Sequence, residues 1–466
     1  MSPLHETLEM QRTLFIDLGA AYFALLMYWI FSLWKDLASQ QIRSWIGFAI
    51  AAGMAFGVVA SIEWGFAAAG TAFAIGLCLG MAFLHPAAAV ALLTSSLFLR
   101  PWELIEQDPF LGLLPRFSFA LCLGHWVLQI AQQKKFAIAR SRVGVVLAVF
   151  AFWCFLCTLF APPDAGALGE FVNGLAKSIF LYFALVEMVR DEKTFRVTIG
   201  TLLLSFLFVG LVSLIQTEGD LRLKGFGAFQ NSNDIAALMV LILPFAVTTF
   251  WRRSSRVDAE GLWMRGAALA LSLVSVAAIV LSRSRGAMLG LFAMLAAYAV
   301  LRYGKRVWLP LGAGMALLAL PAMSVLSGRS STDLEQSSAG RMTYLKAGLR
   351  MGIKNPVFGV GFNAYPVNLQ NYNTESLDEG KQMTAHNSWI LVFAETGFFG
   401  LFLFSAAFFG CMLAAYRLYP TEPELLLSMT GYGVTMIFLS HSYLIYPYLL
   451  YALVQSVHRF RTGVLA

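Results

Sequence analysis

Residues 385–416 read AHNSWILVFAETGFFGLFLFSAAFFGCMLAAY, and this stretch decides the fold. Over 389–416 one charged residue, Glu395, interrupts an apolar run longer than the roughly 20 residues that cross a bilayer. The run follows a long polar segment, 327–386, which breaks a chain otherwise built for lipid. His386 stands where the two meet. An imidazole at the mouth of a membrane helix, reached from an extramembrane segment, is placed for chemistry on a membrane-borne substrate.

The rest of the chain agrees. Over 466 residues it is 59% hydrophobic, 14% aromatic and only 13% charged, against about 25% charged in an ordinary soluble domain. The mean hydropathy is +0.70. The composition predicts an all-α, polytopic transmembrane helix bundle. Its net charge of +7 comes from Lys and Arg at span ends, so the expected partner is the bilayer and not a nucleic acid. Cys78, Cys122, Cys154, Cys157 and Cys411 all lie in apolar runs. A dry helix gives the Cys154/Cys157 pair little support as a redox or metal site. The first apolar run, 14–34, is long enough to remain as a span.

Apolar runs fall at 14–34, 45–62, 65–84, 86–99, 117–131, 143–161, 168–188, 197–215, 234–251, 263–281, 286–301, 307–326, 387–416, 424–440 and 443–457. Allowing for a re-entrant 86–99, about 12–15 spans are expected. No internal repeat stands out. The chain divides into N-terminal helices (1–216), helices bearing arginine motifs (217–326), one large outer loop with short helices (327–386) and C-terminal helices (387–466).

Every second loop is basic. Lys134, Lys135, Arg140 and Arg142 form one cluster, followed by Arg190, Lys193 and Arg196. Then come Arg252, Arg253, Arg256 and Arg265, next Arg302, Lys305 and Arg306, and last Arg459 and Arg461. The positive-inside rule makes these loops cytoplasmic. Arg222, the polar cluster 282–285 and His386 then share the outer side, where basic residues need another reason.

Within the outer loop, 341–353 reads as a short helix. Met342, Leu345, Leu349 and Ile353 share one face, suited to the bilayer surface, and Lys346 and Arg350 lie on another. Asn355-Pro356 stops this helix, and Gly359 and Gly361 permit a tight turn.

His386 is the candidate base. Asn387 or Ser388 can cap the following helix, whose positive end disfavours the imidazolium and leaves a neutral ring able to take a proton. The plainer reading is an interfacial histidine that helps to cap. Arg222, Arg283 and Arg285 are candidate anion ligands. An arginine at a span end costs about 2.5–3.5 kcal/mol on insertion scales, and its guanidinium offers phosphate a two-pronged donor set. Snorkelling to lipid headgroups is the alternative for each alone. The helix N-terminus near Asn233 and Asp234 could add backbone donors.

Several motifs are absent: D-x-D, a P-loop, H-E-x-x-H and G-x-S-x-G. No metal site and no cofactor are expected. His441 faces outward beside Ser440 and Tyr443, and reads as a loop histidine that could neighbour the site. Glu395 lies on roughly the opposite face of its helix from His386, and reads as a structural partner for another helix.

At these residues the chain resembles the O-antigen ligase and polymerase superfamily of bacterial envelopes. Four stretches carry the likeness. They are Arg222-Leu223-Lys224-Gly225 through Asn231-Ser232-Asn233; Ser284-Arg285-Gly286-Ala287; Gly340-Arg341 with Asn355-Pro356-Val357-Phe358-Gly359-Val360-Gly361; and His386-Asn387-Ser388 with Glu395-Thr396-Gly397-Phe398-Phe399-Gly400. The likeness covers roughly 220–400. Each motif is weak alone, and their order and shared side give the set its specificity.

The resemblance implies metal-independent, inverting transfer of a whole glycan from undecaprenyl diphosphate to a saccharide acceptor, on the periplasmic side of the bacterial inner membrane. In that scheme His386 deprotonates the acceptor hydroxyl. Arg222 and Arg285 hold the diphosphate, with Arg341 as a further clamp. Arg283, Asn233 and Asn387 give support. The acceptor is lipid A–core for a ligase, a lipid-linked repeat for a polymerase, or a protein hydroxyl for an O-oligosaccharyltransferase. A transporter or flippase of the lipid-linked glycan is the rival from another class. Peptidoglycan polymerases of similar topology would need an outer-loop aspartate, Asp333 or Asp378, as base, and neither heads a helix.

Overall fold

The computed structural model describes residues 86–100, 111–133, 141–217, 223–225, 231–252, 259–304, 331–373 and 383–463, with positions 79 and 82. The expected spans 14–34, 45–62 and 307–326, nearly all of 65–84, and Arg222 lie outside the described residues.

All regular structure among the described residues is helical. The main helices are α1 (Pro86–Leu99), α2 (Leu114–Gln133), α3 (Arg142–Thr158), α4 (Lys177–Met188), α5 (Glu192–Ile215), α6 (Ser232–Trp251) and α7 (Ala259–Leu281). They continue as α8 (Arg285–Tyr303), α9 (Ser331–Lys354), α10 (Tyr365–Tyr372), α11 (Ser388–Leu418), α12 (Pro423–Thr435) and α13 (Ile445–Thr462). Six described segments are long and apolar enough to cross a membrane: Pro163–Met188, Glu192–Ile215, Ser232–Trp251, Leu262–Leu281, Arg285–Tyr303 and Ser388–Leu418. The all-α polytopic bundle expected from composition is what is found.

The chain forms two compact units, one of residues 1–135, 187–235 and 245–278, the other of 136–186, 236–244 and 279–466. In the first, α1 packs on α5 through Phe98 and Phe206, with ring centroids 4.8 Å apart. It also meets α2, where the Ser96 and Ser118 hydroxyls lie 3.2 Å apart. Asp191 caps α5, accepting the Thr194 N–H at 2.8 Å. Inside α5 the hydroxyls of Thr198, Thr201, Ser205 and Ser213 each donate to the carbonyl four residues back, so these buried groups are satisfied without leaving the helix.

In the second unit α11 is not one rod. Gly397 has φ 69° and ψ −167°, and the chain doubles back there. Trp389 meets Phe404 and Phe408, with ring centroids 6.0 and 5.5 Å away. On a continuous helix Trp389 and Phe404 would be about 22 Å apart. The 388–396 arm therefore folds against the 398–418 arm. His386 is carried back beside the middle of the second arm, which corrects its expected place at the mouth of a straight span.

Breaking a helix in an apolar setting exposes backbone groups that must find partners. The turn at 355–361 supplies them. Phe398 N–H donates to the Pro356 carbonyl at 2.9 Å, and Val360 N–H donates to the Ala394 carbonyl at 2.8 Å. From α3, Trp153 Nε1–H donates to the Thr396 carbonyl at 2.9 Å. The approach needs glycine on both sides: a Cβ on Gly359 would lie 2.4 Å from the Ala394 oxygen, and one on Gly397 2.2 Å from the Val357 oxygen.

Helix α9 starts earlier than expected, at Ser331, and ends as expected before Asn355-Pro356. Its packed face lies off the apolar stripe expected at the bilayer surface. Thr343, Ala347 and Met351 are buried, with Gly348 against Ile390 and Gly352 against Phe393, whereas Met342 and Ile353 are exposed. Small residues let α9 approach the histidine arm closely.

Helices α8 and α12 run antiparallel through a similar contact, since a Cβ on Gly290 would lie 2.6 Å from the Gly431 oxygen. Helix α12 stops at Thr435, short of the expected 440, and a turn leads on to α13. Apolar stripes stay exposed along α3 (Val145, Val149, Phe152) and the second arm of α11 (Phe402, Phe409, Leu413), as lipid-facing surfaces do.

Candidate functional site

His386 and Arg283 share an uncommon backbone state. Their φ values are 49° and 53°, in the left-handed region that few non-glycine residues enter. Each directly precedes a helix cap. Asn387 caps α11, its Oδ1 accepting the Ile390 N–H at 3.0 Å. Ser284 caps α8, its Oγ accepting the Ala287 N–H at 3.4 Å. Such backbone costs of order 1–3 kcal/mol and gathers at working sites. Here it turns the chain sharply into each helix, leaving His386 and Arg283 half-buried at two positive helix ends.

One turn ties these ends together. Ser388 N–H donates to the Met436 carbonyl at 2.9 Å, and Ser388 Oγ donates to the Leu439 carbonyl at 2.7 Å. The same turn covers α8, where a Cβ on Gly286 would lie 2.8 Å from the Phe438 Cβ. Residues 436–441 thus hold the start of the histidine arm and the start of the Ser-Arg-Gly helix side by side. Arg285, first residue of α8, is exposed there.

The turn is itself braced by His441. Its backbone N–H donates to Ser388 Oγ at 3.0 Å, and its Nδ1 lies 2.9 Å from the Tyr432 hydroxyl. His441 is 2% exposed, so it is a packed neighbour of the site and not an ordinary loop histidine.

Helix α9, which carries Arg341, meets the site through Tyr344. Tyr344, one turn along the same face, has its ring centroid 6.0 Å from that of His386. Tyr344 is held by Tyr365, whose hydroxyl donates to the Tyr344 carbonyl at 2.5 Å. Burial pushes the Tyr365 phenol up from its ordinary value, with Glu395 and Tyr344 adding to the shift, so it stays protonated. Glu395, 2% exposed, accepts the Tyr365 N–H at 3.1 Å, the role toward another helix expected of it.

Of the predicted residues, Arg283, Arg285, Arg341, His386 and Asn387 belong to this second unit. Asn233 belongs to the first, where its N–H and side-chain amide both meet Asn231 Oδ1 at 3.0 Å. The cap of α6 is therefore Asn231. Sequence reading passed over Tyr344 and Tyr365; the i, i+3 spacing of Arg341 and Tyr344 was the one available signal. An open cleft of about 450 Å³ lined by Phe160, Asn355, Phe358, Asn368 and Tyr372 holds none of the predicted residues.

Fold and geometry together define a class: a helical membrane protein in which two helix N-termini, one led by His386 and the other by Arg283 and Arg285, meet one turn. Residues 267–405 match the family model described as O-antigen ligase, and this match supports membership of the O-antigen ligase and polymerase superfamily. The matched stretch includes Arg283, Arg285, Arg341 and His386 and ends before the 436–441 turn. No curated protein gives a significant match to the chain.

Proposed function

We propose that the chain is a metal-independent, inverting glycosyltransferase that moves a glycan en bloc from undecaprenyl diphosphate to an acceptor on the periplasmic side of the bacterial inner membrane. The observation that supports this reading is the shared 436–441 turn, against which the helix start led by His386 and the one led by Arg283 and Arg285 are both held. His386 takes the proton of the acceptor hydroxyl. The acceptor oxygen bonds to the anomeric carbon as that carbon's bond to the diphosphate oxygen breaks. Undecaprenyl diphosphate leaves, its charge met by Arg285, with Arg283, Arg341 and Arg222 as further clamps. The α8 and α11 N-termini favour the same anion.

The far ends of the helices support an outward-facing site. Arg302 closes α8, about 25 Å from Arg285 along the helix. Arg459 and Arg461 close α13, where Arg461 pairs with Glu422 at 2.6 Å. Basic residues at those ends fit the cytoplasmic side.

Deleting the gene in its host and measuring the lengths of undecaprenyl-diphosphate-linked glycans tests the reading. Accumulated single repeats mean a polymerase. Long finished chains stranded on the lipid mean a ligase, or an O-oligosaccharyltransferase if a protein loses sugar instead of lipid A–core. An unchanged profile overturns the proposal and favours a transporter.

Arg285→Lys separates charge from geometry. Lysine keeps the charge but not the planar fork that grips two phosphate oxygens. We expect at least a tenfold loss of transfer, roughly the value of one charge-assisted hydrogen bond of about 1.5–3 kcal/mol. A near-normal rate would assign Arg285 to lipid headgroups.

A further inference from the structure

We infer that Tyr365 and Glu395 are positioning residues that set Tyr344 against the His386 ring. The inference rests on the proposed role of His386 as base. Helix α10 begins after Ala364, which has no side chain able to cap it. Glu395 of the histidine arm takes that place, accepting the first N–H of α10 at 3.1 Å. Tyr365 is fully buried, and a Cβ on Gly348 would lie 3.0 Å from its ring, so the ring is wedged beneath α9.

The Tyr365 hydroxyl then fixes the Tyr344 carbonyl. Contacts therefore run from Glu395 through Tyr365 and Tyr344 back to His386, closing a loop between residues at either end of one arm. Neither Tyr365 nor Glu395 touches the reacting atoms in this arrangement. What they govern is how Tyr344, carried on α9, sits against the imidazole. A shift of about 1 Å at such a place is enough to cost up to a hundredfold in rate.

The test is a double-mutant cycle on the full-length protein in proteoliposomes, measuring kcat and KM for a lipid-diphosphate-linked glycan donor. Tyr365→Phe keeps the wedge and removes one hydroxyl. It should lower kcat on the order of tenfold with the donor KM unchanged. In a Tyr344→Ala background the same substitution should cost nothing further, because the ring it places is gone. Glu395→Ala, which removes the acceptor of the Tyr365 N–H, should lower kcat as Tyr365→Phe does. Glu395→Gln, which keeps an acceptor oxygen there, should restore most of it. An unchanged kcat for Glu395→Ala would take the positioning role from Glu395.

Equal losses from Tyr365→Phe in both backgrounds would mean a general structural role and overturn the inference. So would an unchanged kcat for Tyr365→Phe in the parent background. His386→Ala in the same assay separates the two layers. If it still turns over, the base reading fails. If it is inactive while Tyr365→Phe runs at full rate, only the positioning inference fails.

Discussion

His386→Ala should abolish glycan transfer while leaving the protein folded and able to bind its donor. A positioned general base contributes roughly 10²–10⁴-fold, so the expected loss is of that order. Folding should survive because its neighbours still seat this helix start. Asn387 makes the cap, and Ser388 makes three links to the 436–441 turn. Alanine at φ 49° is no better suited to the left-handed region than histidine, so His386→Gly serves as the backbone control. Both variants should be inactive with unfolding temperatures near that of the parent. Substantial turnover in either would take the base role away from His386, and a collapse of both would show the ring to be structural.

The candidate residues were legible because a polar group in an apolar context is costly and stands out. His386 and the 282–285 cluster stand out this way, and so do the caps that follow them. What joins them was not legible. The 436–441 turn meets Ser388 through one backbone bond and two bonds of its hydroxyl, and Gly286 at a bare Cα, and none of these names its distant partner in local sequence. On α9 the stripe of Met342, Leu345, Leu349 and Ile353 was legible as an outward face, and Met342 and Ile353 are exposed. The packed side was not legible, because small residues such as Gly348 and Gly352 mark it. The hairpin in α11 was hidden as well. Only Glu395 and Thr396 interrupt the apolar run before Gly397, and the partner that accommodates the reversal lies elsewhere in the chain, at 355–361.

That hidden reversal carries the largest expected effect on folding. Gly397→Ala should remove the native fold of the second unit. At φ 69° and ψ −167°, where essentially only glycine is found, a Cβ costs of order 1–3 kcal/mol in the backbone alone. It would also lie 2.2 Å from the Val357 oxygen and 2.5 Å from the Pro356 oxygen, so the turn must withdraw. Withdrawal breaks the bonds from Phe398 N–H to Pro356 and from Val360 N–H to Ala394. Each buried backbone group left unpaired costs about 1–3 kcal/mol. The sum reaches a large share of the 5–15 kcal/mol that typically holds a protein folded. Gly410→Ala, in the second arm of the same helix, is the matched control: its Cβ would meet only a Val143 methyl, at 3.2 Å. Detergent-extracted yield and thermal unfolding should separate the two, with Gly410→Ala close to the parent and Gly397→Ala largely lost. If Gly397→Ala instead folds as well as Gly410→Ala, α11 runs straight in the membrane. His386 would then stand at the mouth of that span, and its contacts with the 436–441 turn and with Tyr344 would have to be given up together.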